Sequence, residues 1–195
     1  MKFKIFKFKS IKSTNEQAIK LIRVNKKKLG LVISDTQTKG RGSYGKRWIS
    51  KKGNFFGSFF FPLKKNYPSF DQFSTINPVI VSELIKNFCD KNKIKIKLPN
   101  DIFLNGKKIC GILQEIISIN RKDFLIIGIG ININSNPFIK KKYKTTNIFQ
   151  ESKIKTNSKE IAKLLIKSYE FFFLNLKSFN YSNFKKKTNL MTINI

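Results

Sequence analysis

The sequence predicts an α+β fold: a mixed, mainly antiparallel sheet with helices packed on it. Three observations carry that expectation. Apolar runs of strand length recur along the 195 residues, and two of them flank Asn105-Gly106, a type I′ hairpin signal. Three further segments space apolar residues at the helical period. Hydrophobic residues make up 41% of the chain, enough for one domain to close a core.

Residues 2–9 alternate lysine with apolar side chains, the period of a strand. Ser13-Thr14-Asn15-Glu16 fits a capping box and opens a helix through Ile19 and Ile22. LGLVIS (29–34) is a buried strand, followed by a glycine-rich loop, and NFFGSFFF (54–61) is another, closed by Pro62. A helix carrying Ile80, Leu84, Ile85 and Phe88 runs to about residue 90. IKIKL (94–98) is a strand ending at Pro99; IFL and KKICGILQEIISI form the hairpin arms. DFLIIGIGINI (123–133) is the next strand. A lysine-rich loop leads to a last helix, from Ser158 to about Leu176, with Ile161, Leu164, Leu165 and Phe172 on one face. One domain is expected over residues 1–180, with 181–195 a short, polar, loose tail.

Composition excludes several classes. No apolar run approaches the roughly 18–20 residues of a membrane span. The amino terminus alternates instead of forming the apolar block of a secretion signal, so a cytoplasmic protein is expected. Cys89 and Cys110 form no CxxC pair, which suggests neither a disulfide framework nor a zinc site. The net charge of +29 is spread over every segment, and arginine occurs only at positions 23, 41, 47 and 121. Abundant Lys, Asn, Ile and Phe with scarce Arg reads as AT-rich codon usage on a solvated surface. The charge-based alternative, a nucleic-acid-binding protein, requires lysines gathered on one face. The absence of histidine excludes His-based general-base schemes.

Gly40 to Lys46 reads G-x-x-x-x-G-K, close to a P-loop. Arg47 stands where the magnesium-binding Ser or Thr is required, and the residues that follow read as turn and strand where a helix is needed. The P-loop is therefore rejected. Gly40, Gly42 and Gly45 still let backbone approach a ligand, Arg41 offers a planar donor, and Trp48 a flat face. An anion-binding loop and a plain basic turn both fit this stretch alone. KLPND (97–101), KICGILQE (108–115) and GIGININ (128–134) each admit an ordinary structural reading: turn chemistry, a solvent-facing lysine, strand bulges.

Taken together and in order, STN (13–15), QTKGRGSYGKRW (37–48), KLPNDIFLNGKKICGILQE (97–115) and GIGININ (128–134) resemble the biotin–protein ligases. The resemblance implies a class II aminoacyl-tRNA-synthetase-like fold, that of the biotin/lipoate ligase catalytic domain. It implies ATP, Mg2+ and biotin as the reacting set, with biotinyl-5′-AMP made first. The acyl group then passes to a lysine of the biotin carboxyl carrier protein of acetyl-CoA carboxylase. Lys108 and Arg41 are the implied catalytic residues. Ser13, Thr14, Asn15, Gln37, Gly40, Arg41, Lys108, Gly111 and Gly128 are the implied biotin contacts, with the two strand glycines letting biotin lie against the sheet. Gly42, Ser43, Trp48, Lys97, Asn100, Asp101 and Asn132 are implied for the nucleotide, Trp48 stacking near adenine, and Asp101 for magnesium through the phosphates. Two positions depart from the pattern: Ser43 replaces an arginine of GRGR, and Leu98 replaces the tryptophan of KWPND. The former suggests weaker retention of the adenylate. The chain is expected to lack a DNA-binding domain before residue 1 and to have its SH3-like C-terminal domain absent or vestigial. No repressor function, specific nucleic acid or membrane partner is expected, and a monomer or homodimer is. The nearer rival is a lipoate or octanoate ligase or transferase on the same fold.

Overall fold

The computed structural model describes residues 1–137 and 144–193. Its centre is one seven-stranded sheet in the order β1-β2-β3-β7-β6-β5-β4. The strands are β1 (Ile5–Ile11), β2 (Gly30–Gln37), β3 (Phe55–Pro62), β4 (Ile94–Lys97), β5 (Asp101–Leu104), β6 (Lys107–Ile119) and β7 (Lys122–Ile131). β1 pairs parallel to β2, and every other neighbouring pair is antiparallel. The expected fold class holds.

Period-two alternation sends successive side chains to opposite faces. Leu31, Ile33, Phe55, Phe59, Phe61, Leu125, Ile127 and Ile129 form the larger core with α2 (Phe70–Ile85) and α4 (Ser158–Leu174). Val32, Phe60, Phe124 and Ile126 face the other way and meet Ala18, Leu21 and Ile22 of α1 (Thr14–Arg23). One side of the sheet is thus fully covered, and the other is covered by a single short helix. No helix among the described residues is long and apolar enough to cross a membrane.

Asn105 and Gly106 have φ of 51° and 69°, the left-handed pair that a type I′ turn requires. A second two-residue turn, Asn120-Arg121, joins β6 to β7 with φ of 49° and 58°. Arginine gives no turn signal, so this hairpin was not expected. The first strand lies later than the 2–9 pattern because its register is set by β2, with Ile5 opposite Leu31 and Ile11 opposite Gln37.

Two further expectations are corrected. Ser13 occupies the N-cap of α1 but its side chain makes no cap bond. The Thr14 N–H donates instead to Gln37 Oε1 at 2.7 Å, so a residue at the end of β2 does the capping. The stretch beyond Asn180 is not loose: it forms α5 (Tyr181–Met191). Phe184 and Met191 pack against the main core, and Thr188 is buried. Ile193 N–H then donates to the Ile96 carbonyl at 3.0 Å, covering part of the β4 edge. This narrow stripe at i, i+4 and i+7 is diluted by lysines and asparagines, which hid the helix. Part of the lysine-rich loop lies outside the described residues.

The short helix α3 (Ile148–Ser152) is tied to the β5–β6 hairpin through Glu151. Its carboxylate accepts from Asn105 Nδ2 (2.5 Å), Thr146 Oγ1 (2.6 Å) and Lys107 Nζ (3.2 Å). Burial pushes its pKa up, but these three donors outweigh burial and hold it below the ordinary carboxylate value. A depressed pKa stabilises the fold above the unfolded-state value and ceases to do so as pH falls through the folded one. Glu151→Gln is therefore expected to lower the unfolding free energy by about 1–3 kcal/mol at neutral pH. The deficit relative to the parent should shrink once pH drops below about 4. Urea titrations across pH check it.

Candidate functional site

On the sheet face that α1 only partly covers, two rows of paired residues carry little bulk. One row runs Val32, Ser58, Gly128, Leu113. The next runs Phe56, Gly130, Gly111, Asp101. Beyond the reach of α1 the sheet therefore presents a hydroxyl and three glycines where other rows present Phe60 and Ile126. A hollow results, because close packing fails wherever the sequence supplies no side chain.

Residues 38–53 fold over this hollow. Gln37 bridges to Ser50 and Arg41 to Arg47, making the glycine-rich stretch an irregular hairpin. Its tip is Ser43–Gly45, with Tyr44 (φ 55°) and Gly45 (φ 69°) in the left-handed region and the Tyr44 ring exposed. The chain after Lys46 is extended and enters β3, as the rejection of a P-loop requires. Trp48 lies beneath the hairpin. A methyl group on Gly111 or Gly130 would sit 2.6 or 2.5 Å from its indole, so both positions must lack a side chain. Indole Nε1 is buried without a hydrogen-bond partner. Gly40, expected among the biotin contacts, does not line the cavity here and packs against the Trp48 carbonyl, which a Cβ would approach to 2.5 Å.

The cleft has two compartments. The first, about 450 Å³ counting space open to solvent, is bounded by Ser13, Thr14, Asn15, Gln37, Arg41 and Gly128, among others. Its polar groups lie in one row of close contacts, in which the Ser58 hydroxyl can donate to Thr14 or to Asn15 but not to both. Thr14 Oγ1 donates to Gln37 Oε1 (3.1 Å), and Ser58 Oγ lies 2.7 Å from Thr14 Oγ1 and 2.5 Å from Asn15 Oδ1. Asn15 Nδ2 donates to Glu115 Oε2 at 2.6 Å, and Arg41 Nη2 lies 2.5 Å from Glu115 Oε1. The Asn15 amide rests directly on Gly128. Ser58 and Glu115 were not expected. Ser58 is the one hydroxyl in NFFGSFFF, and Glu115 follows Gly111 and Leu113 at strand period, which is the signal that would have found it.

The second compartment, about 1060 Å³ counting space open to solvent, is bounded by Lys97, Asn132, Tyr44 and Thr145, among others. The two share Gly42, Ser43, Trp48, Asn100, Asp101 and Lys108. Lys108 is therefore at the junction. Its ammonium is 2.6 Å from Asp101 Oδ1 and 5.5 Å from the Trp48 ring centroid. Both side chains of the ion pair are mostly buried, at 13% and 15% exposure. Removing one partner of such a pair costs about 3–5 kcal/mol. Asn100 Nδ2 donates to Ser43 Oγ at 2.5 Å, fastening the hairpin tip. Asn132 donates to the Thr146 carbonyl at 2.9 Å, while its Oδ1 is buried and unpartnered. Asn54, also unexpected, holds the turn after Asn132 by accepting from the N–H groups of Ile133, Asn134 and Ser135. No cluster of three His, Cys, Asp or Glu exists among the described residues, and Asp101 is the one carboxylate bounding the compartments.

Two adjoining compartments with a lysine at their junction make up the candidate site. The chain belongs to the biotin/lipoate A/B protein ligase family, whose model matches residues 7–132. It is 36% identical over 133 residues to the bifunctional ligase/repressor BirA of Bacillus subtilis, covering 65% of this chain and 39% of that one. It is 30% identical over 132 residues to the biotin–[acetyl-CoA-carboxylase] ligase of Paracoccus denitrificans, covering 64% and 52%. The biotin protein ligase of Aquifex aeolicus, solved with biotin and ATP, superposes with a TM-score of 0.80 at 27% identity, covering 97% of this chain and 78% of that one. The chain thus spans from two fifths to about half the length of these two curated relatives.

Trp48 is the only tryptophan, so its fluorescence reports the covering hairpin alone. Gly130→Ala is expected to displace the half-buried indole and shift its emission to the red, with the far-ultraviolet circular dichroism unchanged. An unshifted spectrum contradicts this packing.

Proposed function

We propose that the chain is a biotin–protein ligase: it joins biotin to ATP as biotinyl-5′-AMP, then transfers the acyl group to a carrier lysine. The observation that carries this reading is the position of Lys108, the one side-chain cation among the described residues that bounds both compartments. Family membership and the biotin-named relatives support it.

The first compartment suits a ureido ring, which offers two N–H donors and a carbonyl to Ser13, Thr14, Asn15 and Gln37. An octanoyl or dithiolane tail offers no donor or carbonyl to that polar corner and would bury it without a hydrogen bond in return. This favours biotin over lipoate or octanoate. Biotin's carboxylate then points toward Lys108 and Arg41, and the nucleotide lies across Trp48, Lys97, Asn100 and Asn132. The unpartnered Asn132 Oδ1 is an acceptor that an adenine amino group would satisfy.

In the first step a carboxylate oxygen attacks the α-phosphorus and pyrophosphate leaves. The nucleophile is already ionised, so no general base is required, in keeping with a chain that has no histidine. Lys108 lowers the repulsion between the two anions and stabilises charge on the α-phosphate. Asp101 would hold a magnesium ion together with phosphate oxygens and water, since magnesium needs only one or two protein carboxylates. In the second step the amine of a carrier lysine attacks the acyl carbon, AMP leaves, and the amine sheds its proton. The carrier we propose is the biotin carboxyl carrier protein of acetyl-CoA carboxylase.

Protein incubated with biotin and α-labelled ATP should form biotinyl-AMP, whereas lipoate or octanoate should give little adenylate. Lys108→Ala should reduce kcat/KM for adenylation by about 10²–10³-fold, the scale of deleting one oxyanion donor. That variant also strands Asp101, so Lys108→Ala/Asp101→Asn, with a near-parental Tm, controls for folding. Near-normal adenylation in either variant rules out the assigned role, and preference for lipoate overturns the choice of acid.

A further inference from the structure

We infer that Glu115 is a positioning residue that clamps the covering hairpin to the head-group corner, so that the cleft closes in register with an occupied first compartment. The inference rests on the biotin reading only for the identity of the ligand. β6 places Gly111, Leu113 and Glu115 on the cleft face, while Cys110 and Ile112 join the main core and Gln114 bonds Asn77 on α2. Glu115 therefore stands at the rim of the hollow that Gly111 floors.

Its two oxygens serve two different elements. Oε1 is 2.5 Å from Arg41 Nη2 on the hairpin, and Oε2 accepts from Asn15 Nδ2 on α1 at 2.6 Å. Thr14, next to Asn15 on α1, donates its N–H to Gln37 Oε1 at 2.7 Å, and Gln37 is the residue from which the hairpin departs. The loop of interactions is closed: hairpin, carboxylate, head-group corner and hairpin base. A shift of Asn15 on binding a ring is transmitted to Arg41 through one rigid planar group. The Arg41 side chain is 40% exposed and that of Glu115 21%, so the pair is screened by solvent and exchangeable. Lys108 has a matching arrangement on Asp101, but its pair is far less exposed.

Glu115→Gln separates the two contacts: an amide oxygen still accepts from Asn15, but the charge that holds Arg41 is gone. Trypsin cleavage after Lys46 and Arg47 measures opening of the hairpin without any ligand. The variant should be cut about fivefold faster than the parent, the factor that one partly exposed ion pair supplies, with Tm unchanged. Steady-state adenylation should show KM for biotin raised by a similar factor and kcat nearly unchanged, a split that loss of overall structure does not produce. Arg41→Gln should be cut about as fast as Glu115→Gln, and Arg41→Gln/Glu115→Gln no faster than either single variant. Equal cleavage of parent and Glu115→Gln overturns the clamp, as does additive acceleration in the double variant. Faster cleavage in a protein that makes no biotinyl-AMP upholds the clamp and overturns the ligand.

Discussion

A patch of sheet without side chains governs this molecule. At Gly111, Gly128 and Gly130 the strands keep their pairing but lose their bulk, and the neighbouring Ser58 adds only a hydroxyl. A sheet face in a domain of this size is ordinarily filled by a helix. Here α1 fills one end, and the remaining floor is left to the 38–53 hairpin and to Trp48. Larger side chains at these glycines would rebuild an ordinary core, and the cleft would vanish. Everything chemical about the site, from the Asn15 amide resting on Gly128 to the indole over Gly111 and Gly130, presupposes that missing volume.

Charge follows the same economy. The chain holds 40 basic residues and 11 acidic ones. Two of those acidic residues, Asp101 and Glu115, each hold a cation at the cleft. Without ligand they keep Lys108 and Arg41 ordered against the repulsion of a strongly positive protein. With an anionic ligand present the same cations have a competing partner. The net charge that dominates the composition therefore says little about the reaction, and its two local exceptions say much.

Much of the fold was legible in the sequence because strand period, apolar run length and the Asn105-Gly106 turn are local signals. The Asn120-Arg121 turn was not, since its left-handed residues carry no glycine. Nor was α5, whose buried stripe is one residue wide. The site was legible as ordered blocks, and the structure brings Ser13, Thr14, Asn15, Gln37, Arg41, Trp48, Asn100, Asp101 and Lys108 around one cleft. What escaped were residues defined by long-range partners. Gln37 displaces Ser13 as the cap of α1, Gly40 supports the hairpin without reaching the cavity, and Glu115 acquires meaning only when Arg41 and Asn15 arrive from either side.

Ligands are held to occupy the two compartments that Trp48 bounds. A single tryptophan yields a single indole N–H resonance in a ¹⁵N-labelled sample, and calorimetry on the same sample confirms that ligand is bound. The account predicts that biotin moves this resonance and that ATP, added next, moves it again. A resonance that stays in place at saturating biotin and ATP would contradict it.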